Sequence, residues 1–214
     1  DAPMRRLQAA IGGPDAMVTE FVRVTEHLLP PKVFYRLVPE LQSEYCGYGE
    51  VPLTVQLLGS NPQTLGQNAV RAIELGAPAI DLNFGCPAKT VNKSMGGAIM
   101  LRQPNSVFDA VKGVRSAVDP HYSVSGKMRL GYEDKSLALE NAKAIEEGGA
   151  AYLTVHARTK VEGYKPPAHW EWIARIRESV NIPVVANGEI WTPEDYHKCR
   201  EVSGCERIMI GRGL

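Results

Sequence analysis

Cys86 lies in the run Asp81-Leu82-Asn83-Phe84-Gly85-Cys86-Pro87, directly after a β-rich segment. Gly85 and Pro87 shape a tight loop there, a setting that presents a thiol. A free thiol has a pKa of about 8.5, so at neutral pH it is mostly protonated and can serve as an acid. The residue type alone leaves a second reading open, because cysteine is also a common small buried hydrophobe. Cys46, Cys199 and Cys205 lack such a setting and read as structural. Lys127 and Arg129 stand two apart on another β-rich run and therefore share a face. Two cations on one face need an anionic partner, such as a phosphate or cofactor, unless the strand end is simply solvated. His156 ends a further run. A lone histidine is more often structural, but a strand end is where catalytic groups gather in a β/α-barrel. Asn187-Gly188-Glu189 and Gly211-Arg212-Gly213 end the last two runs. Glycines at such places let backbone N–H groups approach phosphate oxygens, although they also make ordinary turns.

The elements that must hold these residues are legible as an alternation. Val18–Val24, Leu53–Gly59, Ala79–Asn83, Ser123–Arg129, Tyr152–His156, Pro183–Asn187 and Arg207–Gly211 are β-rich. Amphipathic stretches separate them. Asn61-Pro62 opens one as N-cap and first helical residue, and Thr192-Pro193 opens another, which Gly204 closes. Asp1-Ala2-Pro3-Met4-Arg5-Arg6 also reads as a helix start. Gly76, Gly149 and Gly204 each end a helical stretch, and a strand follows at once. The strand is expected to end at the same distance from the glycine in all three. Constant alternation argues for a parallel sheet with helices outside.

No G-x-G-x-x-G follows any strand, which removes the dinucleotide fingerprint of an open doubly wound sheet. Polar residues close nearly every strand: Arg23, Gln56, Asn83, Cys86, Lys127, Arg129, His156, Asn187 and Arg212. That distribution favours the rim of a TIM (β/α)8 barrel. Seven strands are visible, so the first is expected before residue 1. Residues 1–214 then form one domain, an incomplete barrel.

The chain has 24 basic and 24 acidic residues and a net charge of +0. A nucleic-acid partner is not demanded by that balance; it would require basic side chains gathered on one face or a basic region elsewhere. No C-x-x-C pair suggests a metal or redox dithiol, and no metal site is expected. No signal peptide or membrane-length apolar run is visible, so a cytoplasmic monomer with free thiols and no membrane association is expected.

Taken together, the Cys86 run, Lys89, Gly96-Gly97-Ala98, Val55-Gln56-Leu57, Lys127-Met128-Arg129-Leu130-Gly131, His156-Ala157-Arg158-Thr159, Asn187-Gly188-Glu189-Ile190 and Gly211-Arg212-Gly213 resemble the signature of tRNA-dihydrouridine synthases across essentially the whole chain. Thr19-Glu20-Phe21-Val22-Arg23-Val24 and Leu29-Pro30-Pro31-Lys32-Val33-Phe34 further resemble the bacterial DusC subgroup, whose members act on uridine 16 of tRNA. The resemblance implies an FMN-dependent oxidoreductase that reduces the C5–C6 double bond of a tRNA uridine with NADPH. It implies that Gln56, Lys127, His156, Asn187, Gly188, Glu189, Gly211 and Arg212 hold FMN. It makes Cys86 the proton donor and has Arg23, Asn83, Arg129 and Tyr164 face the tRNA or its flipped base. It also implies a first strand against the flavin and a C-terminal helical domain that clamps tRNA, both outside these residues. The residues alone also suit an FMN-dependent TIM-barrel reductase of a free pyrimidine, dihydroorotate dehydrogenase-like, or an inactive RNA-binding fragment.

Overall fold

The computed structural model describes residues 1–213; Leu214 lies outside them. Helix α1 (Ala2–Ile11) opens at Asp1, whose carboxylate accepts the Met4 N–H at 3.0 Å. The chain then runs through β1 (Met17–Val18), β2 (Val22–Arg23), α2 (Pro31–Leu37) and β3 (Gly47–Tyr48). From there it alternates: β4 (Val51–Leu58), α3 (Pro62–Glu74), β5 (Ala79–Phe84), α4 (Lys89–Lys93), α5 (Pro104–Ala117), β6 (Ser123–Arg129), α6 (Ala138–Glu147), β7 (Leu153–His156), α7 (Trp170–Ser179), β8 (Val184–Asn187), α8 (Pro193–Ser203) and β9 (Arg207–Met209).

The sheet order is β1-β4-β5-β6-β7-β8-β9, and every pair along it is parallel. β2 continues the position of β1 beside β4. The sheet curls around one apolar core, which includes Val22, Leu53, Leu57, Ile80, Leu82, Val124, Met128, Leu153, Val155 and Ala186. All its strand C-termini therefore open on one side, where a β/α-barrel builds its site.

The helix punctuation follows from the caps. The Asn61 side chain accepts from Gln63 N at 2.9 Å and Thr64 N at 3.0 Å, supplying two of the unpaired N–H groups that start α3. Thr192 and Asp195 form a reciprocal capping box on α8, and Gly204 closes it in the left-handed conformation.

Two expectations need correction, and one element is new. The single run Val18–Val24 is two short strands. Between them Thr19 leaves the regular ladder, and its hydroxyl takes the Gln56 N–H at 3.0 Å in place of a backbone carbonyl. The antiparallel β3–β4 hairpin went unread, because Gly47-Tyr48 is too short to show alternation. The strands after Gly76, Gly149 and Gly204 start nearly in step, at Ala79, Leu153 and Arg207, but end at Phe84, His156 and Met209. β9 stops early because Asn187 Nδ2 claims the Met209 carbonyl at 2.9 Å and the chain turns into the glycine segment.

Candidate active site

Four successive strands deliver polar side chains to one cavity of about 330 Å³ at the C-terminal rim. Asn83 comes from β5, Lys127 and Arg129 from β6, His156 from β7 and Asn187 from β8. The loops beyond them add Cys86, Tyr164, Gly188, Glu189, Gly211 and Arg212. The structure thus brings together all the expected site residues except Gln56 and Arg23. Gln56 lies buried beneath Asn83. Arg23 is exposed and donates to Thr90 O at 3.3 Å and Ser94 Oγ at 3.0 Å, bracing the segment after Cys86.

The Cys86 loop is set from below by a hydrogen-bond chain across three strands. Ser125 donates to Asp81 at 2.6 Å, and Gln56 Nε2 donates to the other Asp81 oxygen at 2.7 Å. Gln56 Oε1 accepts from Asn83 Nδ2 at 2.7 Å. Asn83 Oδ1 accepts the Gly85 and Cys86 N–H groups, each at 2.9 Å, an Asx-type turn that fixes the loop. Burial raises the Asp81 pKa, although Ser125, Gln56 and the Lys127 charge oppose that rise. Above the loop, Gly97 has φ +71, and a Cβ there would lie 2.9 Å from the Cys86 carbonyl. Cys86 itself is half-buried, and its thiol makes no hydrogen bond among the described residues. The other three cysteines are buried, and burial pushes Cys46 up to about 11 and Cys199 to about 12. Their structural reading stands.

Arg129 is 2% exposed and works as a staple. It donates to Gly85 O at 2.8 Å, Thr159 O at 3.0 Å and Gly163 O at 2.8 Å, tying the cysteine loop to the loop that carries Tyr164. Lys127 Nζ donates to Asn187 Oδ1 at 2.9 Å. Burial brings the Lys127 pKa down to about 8, despite the Asp81 charge. His156 falls to about 2, first through burial and then through Arg129, Lys127, Arg158 and Arg212. Its imidazole is therefore neutral at physiological pH. Gly188 packs on it so closely that a Cβ would sit 2.7 Å from His156 Cδ2.

Among the cavity-wall residues that sequence reasoning did not assign to the site are Arg158 and Trp191. Arg158 is fully buried, pairs with Glu189 and donates to Pro167 O at 3.2 Å. Its Nη1 has no partner among the described residues. The signal was available: His156-x-Arg158, running off the end of β7, repeats the spacing of Lys127-x-Arg129 on β6. Trp191 at the rim carried no such signal. Glu189 lines the cavity, but both its oxygens are engaged, by Arg158 and by Trp191 Nε1.

Four cations thus face a wall whose single carboxylate, Glu189, is already paired. Such a wall suits an anion. Fold and site define the class: a β/α-barrel protein with an anion-receiving mouth and an uncommitted thiol beside it. Among the described residues no group of His, Cys, Asp and Glu could hold a metal ion, and no helix is long and apolar enough to cross a membrane.

A family model described as dihydrouridine synthase matches residues 1–214, and the chain belongs to that family. It is 57% identical over 214 residues to a tRNA-dihydrouridine(16) synthase of Pseudomonas putida, covering 100% of this chain and 66% of that protein. It is 54% identical over 213 residues to the protein of that name from Shewanella oneidensis, covering 100% of this chain and 68% of that one. For the protein of that name from Neisseria meningitidis serogroup B the identity is 53% over 213 residues, with 100% and 64% covered. The chain spans about two thirds of the length of these curated relatives. Among solved structures, FabK from Thermotoga maritima superposes with a TM-score of 0.53 at 16% identity, over 90% of this chain and 50% of that one. An (S)-mandelate dehydrogenase mutant gives 0.52 at 15% identity, over 76% and 52%. These two likenesses speak to the barrel fold alone.

Proposed function

We propose that residues 1–214 are the incomplete catalytic domain of a cytoplasmic, monomeric tRNA-dihydrouridine synthase that binds FMN at the cavity and reduces uridine 16 of tRNA. The carrying observation is the mouth itself: Cys86 beside a cationic wall in which, among the described residues, Arg158 Nη1 is buried without a partner and Arg212 makes no hydrogen bond. An unpartnered buried guanidinium N–H is costly and is satisfied by a phosphate oxygen. The Asn187-Gly188 and Gly211–Gly213 segments line the same wall, so their backbone can approach that phosphate. The donor set therefore fits FMN. The names of the relatives support tRNA and position 16.

FMN, when bound there and reduced by NADPH, would supply the hydride for C6 of the uracil. The residues of the chain do the rest. Gln56, Lys127, His156, Asn187, Gly188, Glu189, Gly211 and Arg212 hold the flavin directly or shape its seat. The Lys127 ammonium stabilises negative charge that develops during transfer. The neutral His156 offers a ring nitrogen that neither repels a cation nor competes for the anion. Cys86 delivers its proton to C5. Asn83, Arg129, Tyr164 and Arg23 face or frame the base, which must leave its stack to reach a barrel mouth.

The test is mass-spectrometric mapping of dihydrouridine in unmodified tRNA incubated with the protein, FMN and NADPH, with orotate and free uracil as alternative oxidants. Modification of uridine 16 is expected, with no turnover of the free pyrimidines. Cys86→Ala is expected to keep its bound flavin and lose at least about 100-fold in rate, the scale of a general acid. A full rate in that variant removes the acid role from Cys86, and turnover of orotate in place of tRNA overturns the substrate.

A further inference from the structure

Arg212 is held at the mouth in an unusual way. Among the described residues it makes no hydrogen bond and no ion pair. Two aromatic faces hold it instead: its guanidinium carbon lies 4.4 Å from the centre of the Tyr164 ring and 5.1 Å from that of Trp191. Trp191 is 48% exposed, and the core needs nothing from it. Yet it is firmly fixed. Its indole N–H donates to Glu189 Oε1 at 3.1 Å, while the other Glu189 oxygen is locked to Arg158. Its backbone N–H donates to Asp195 Oδ2 at 3.0 Å, at the start of α8.

The chemistry of the contact matters. An ion pair would also hold a flexible arginine, but it would consume the N–H donors and cancel the charge. Stacking uses the face of the guanidinium and leaves the donors on its edge free. An arginine held by rings is ordered in advance and still fully able to grip an oxyanion.

We propose that Trp191 is a positioning residue for the phosphate of the flavin: anchored through Glu189, its ring orders Arg212 for that phosphate without spending its donors. In this role Trp191 acts through Arg212 and not on the flavin ring or the reacting atoms. The inference rests on the flavin reading above and adds a residue that the signature motifs leave out.

Riboflavin, which has the same ring and ribityl chain but no phosphate, separates the possibilities. Affinities for FMN and riboflavin are measured by fluorescence titration of the purified protein and of two variants, with melting curves to confirm that each is folded. Wild-type protein is expected to prefer FMN. Trp191→Leu is expected to weaken FMN about fivefold and riboflavin by less than about twofold, the size of one exposed cation–π contact. Trp191→Phe, which restores a ring, is expected to recover most of the difference. Equal weakening of both ligands would mean that Trp191 contacts the flavin ring and would overturn the proposal, as would unchanged FMN affinity in Trp191→Leu. Failure of the wild-type protein to bind either flavin would instead bring down the flavin reading, and this inference with it.

Discussion

His156 is the residue on which the mouth's electrostatics converge. Buried against Gly188 and faced by Lys127, Arg129, Arg158 and Arg212, it stays neutral down to about pH 2. An unfolded histidine takes up its proton near about 6.5. Between those values the unfolded chain binds one proton more than the folded one. Stability therefore rises with pH through that window and is lost as pH falls below about 6.5. His156→Gln removes this contribution. Between pH 6.5 and 5 the variant is expected to lose about 2 kcal/mol less than the parent in chemical denaturation. The same slope in both proteins would show that His156 is protonated in the folded state.

At the scale of elements, the thiol depends on how two turns meet. Asn83 holds the Cys86 loop from below, and Gly97 enters the following 3-10 turn with φ +71, against the Cys86 carbonyl. Gly97→Ala puts a Cβ 2.9 Å from that oxygen and 3.1 Å from Cys86 Cβ, in a conformation alanine adopts at a cost. The loop must move. We expect about 1–3 kcal/mol lost in stability and dihydrouridine formation reduced by more than tenfold on the order expected for a misplaced group, with bound flavin retained. An unchanged rate would show that the loop tolerates the shift. The cysteine turn was legible in the sequence through Gly85 and Pro87, and the strand–helix alternation through its caps at Asn61, Thr192 and Gly204; the turn at Gly97 was not, because it is defined by its approach to the Cys86 carbonyl. The split of the first visible strand was not, because it depends on the Thr19 hydroxyl meeting Gln56, 37 residues away. Trp191 was invisible for a similar reason. What recruits it is the commitment of both Glu189 oxygens, a property of the folded wall.

At the scale of the whole molecule, the net charge of +0 conceals a cationic mouth. Cations gather at the mouth, while at the other end of the core Arg5 of α1 is buried against Glu20 and Glu40. Tyr48 joins the cluster with its hydroxyl on Glu40 at 2.5 Å and so ties the β3–β4 hairpin to α1. Met4, Leu7 and Ile11 on the same helix are exposed, so this polar anchor does much of the work of docking α1. Arg5→Met leaves the Glu40 carboxylate buried without its partner, which costs about 3–5 kcal/mol. Urea denaturation should show that loss, and Arg5→Met/Glu40→Gln should recover a good part of it. A single variant as stable as the parent would show that α1 is held by apolar contact alone.

The chain from Ser125 through Asp81 and Gln56 to Asn83 carries one more meaning, which concerns polarity. Gln56 turns its amino end inward to Asp81 and its oxygen toward Asn83. Asn83 must then give Gln56 an N–H, and its own oxygen is already filled by two backbone amides. The part of Asn83 left for the cavity is a hydrogen and no lone pair. Two backbone N–H groups of the cysteine loop thus write the sign of a contact on the cavity side: that patch of wall greets a carbonyl and turns away an amino group of the same size.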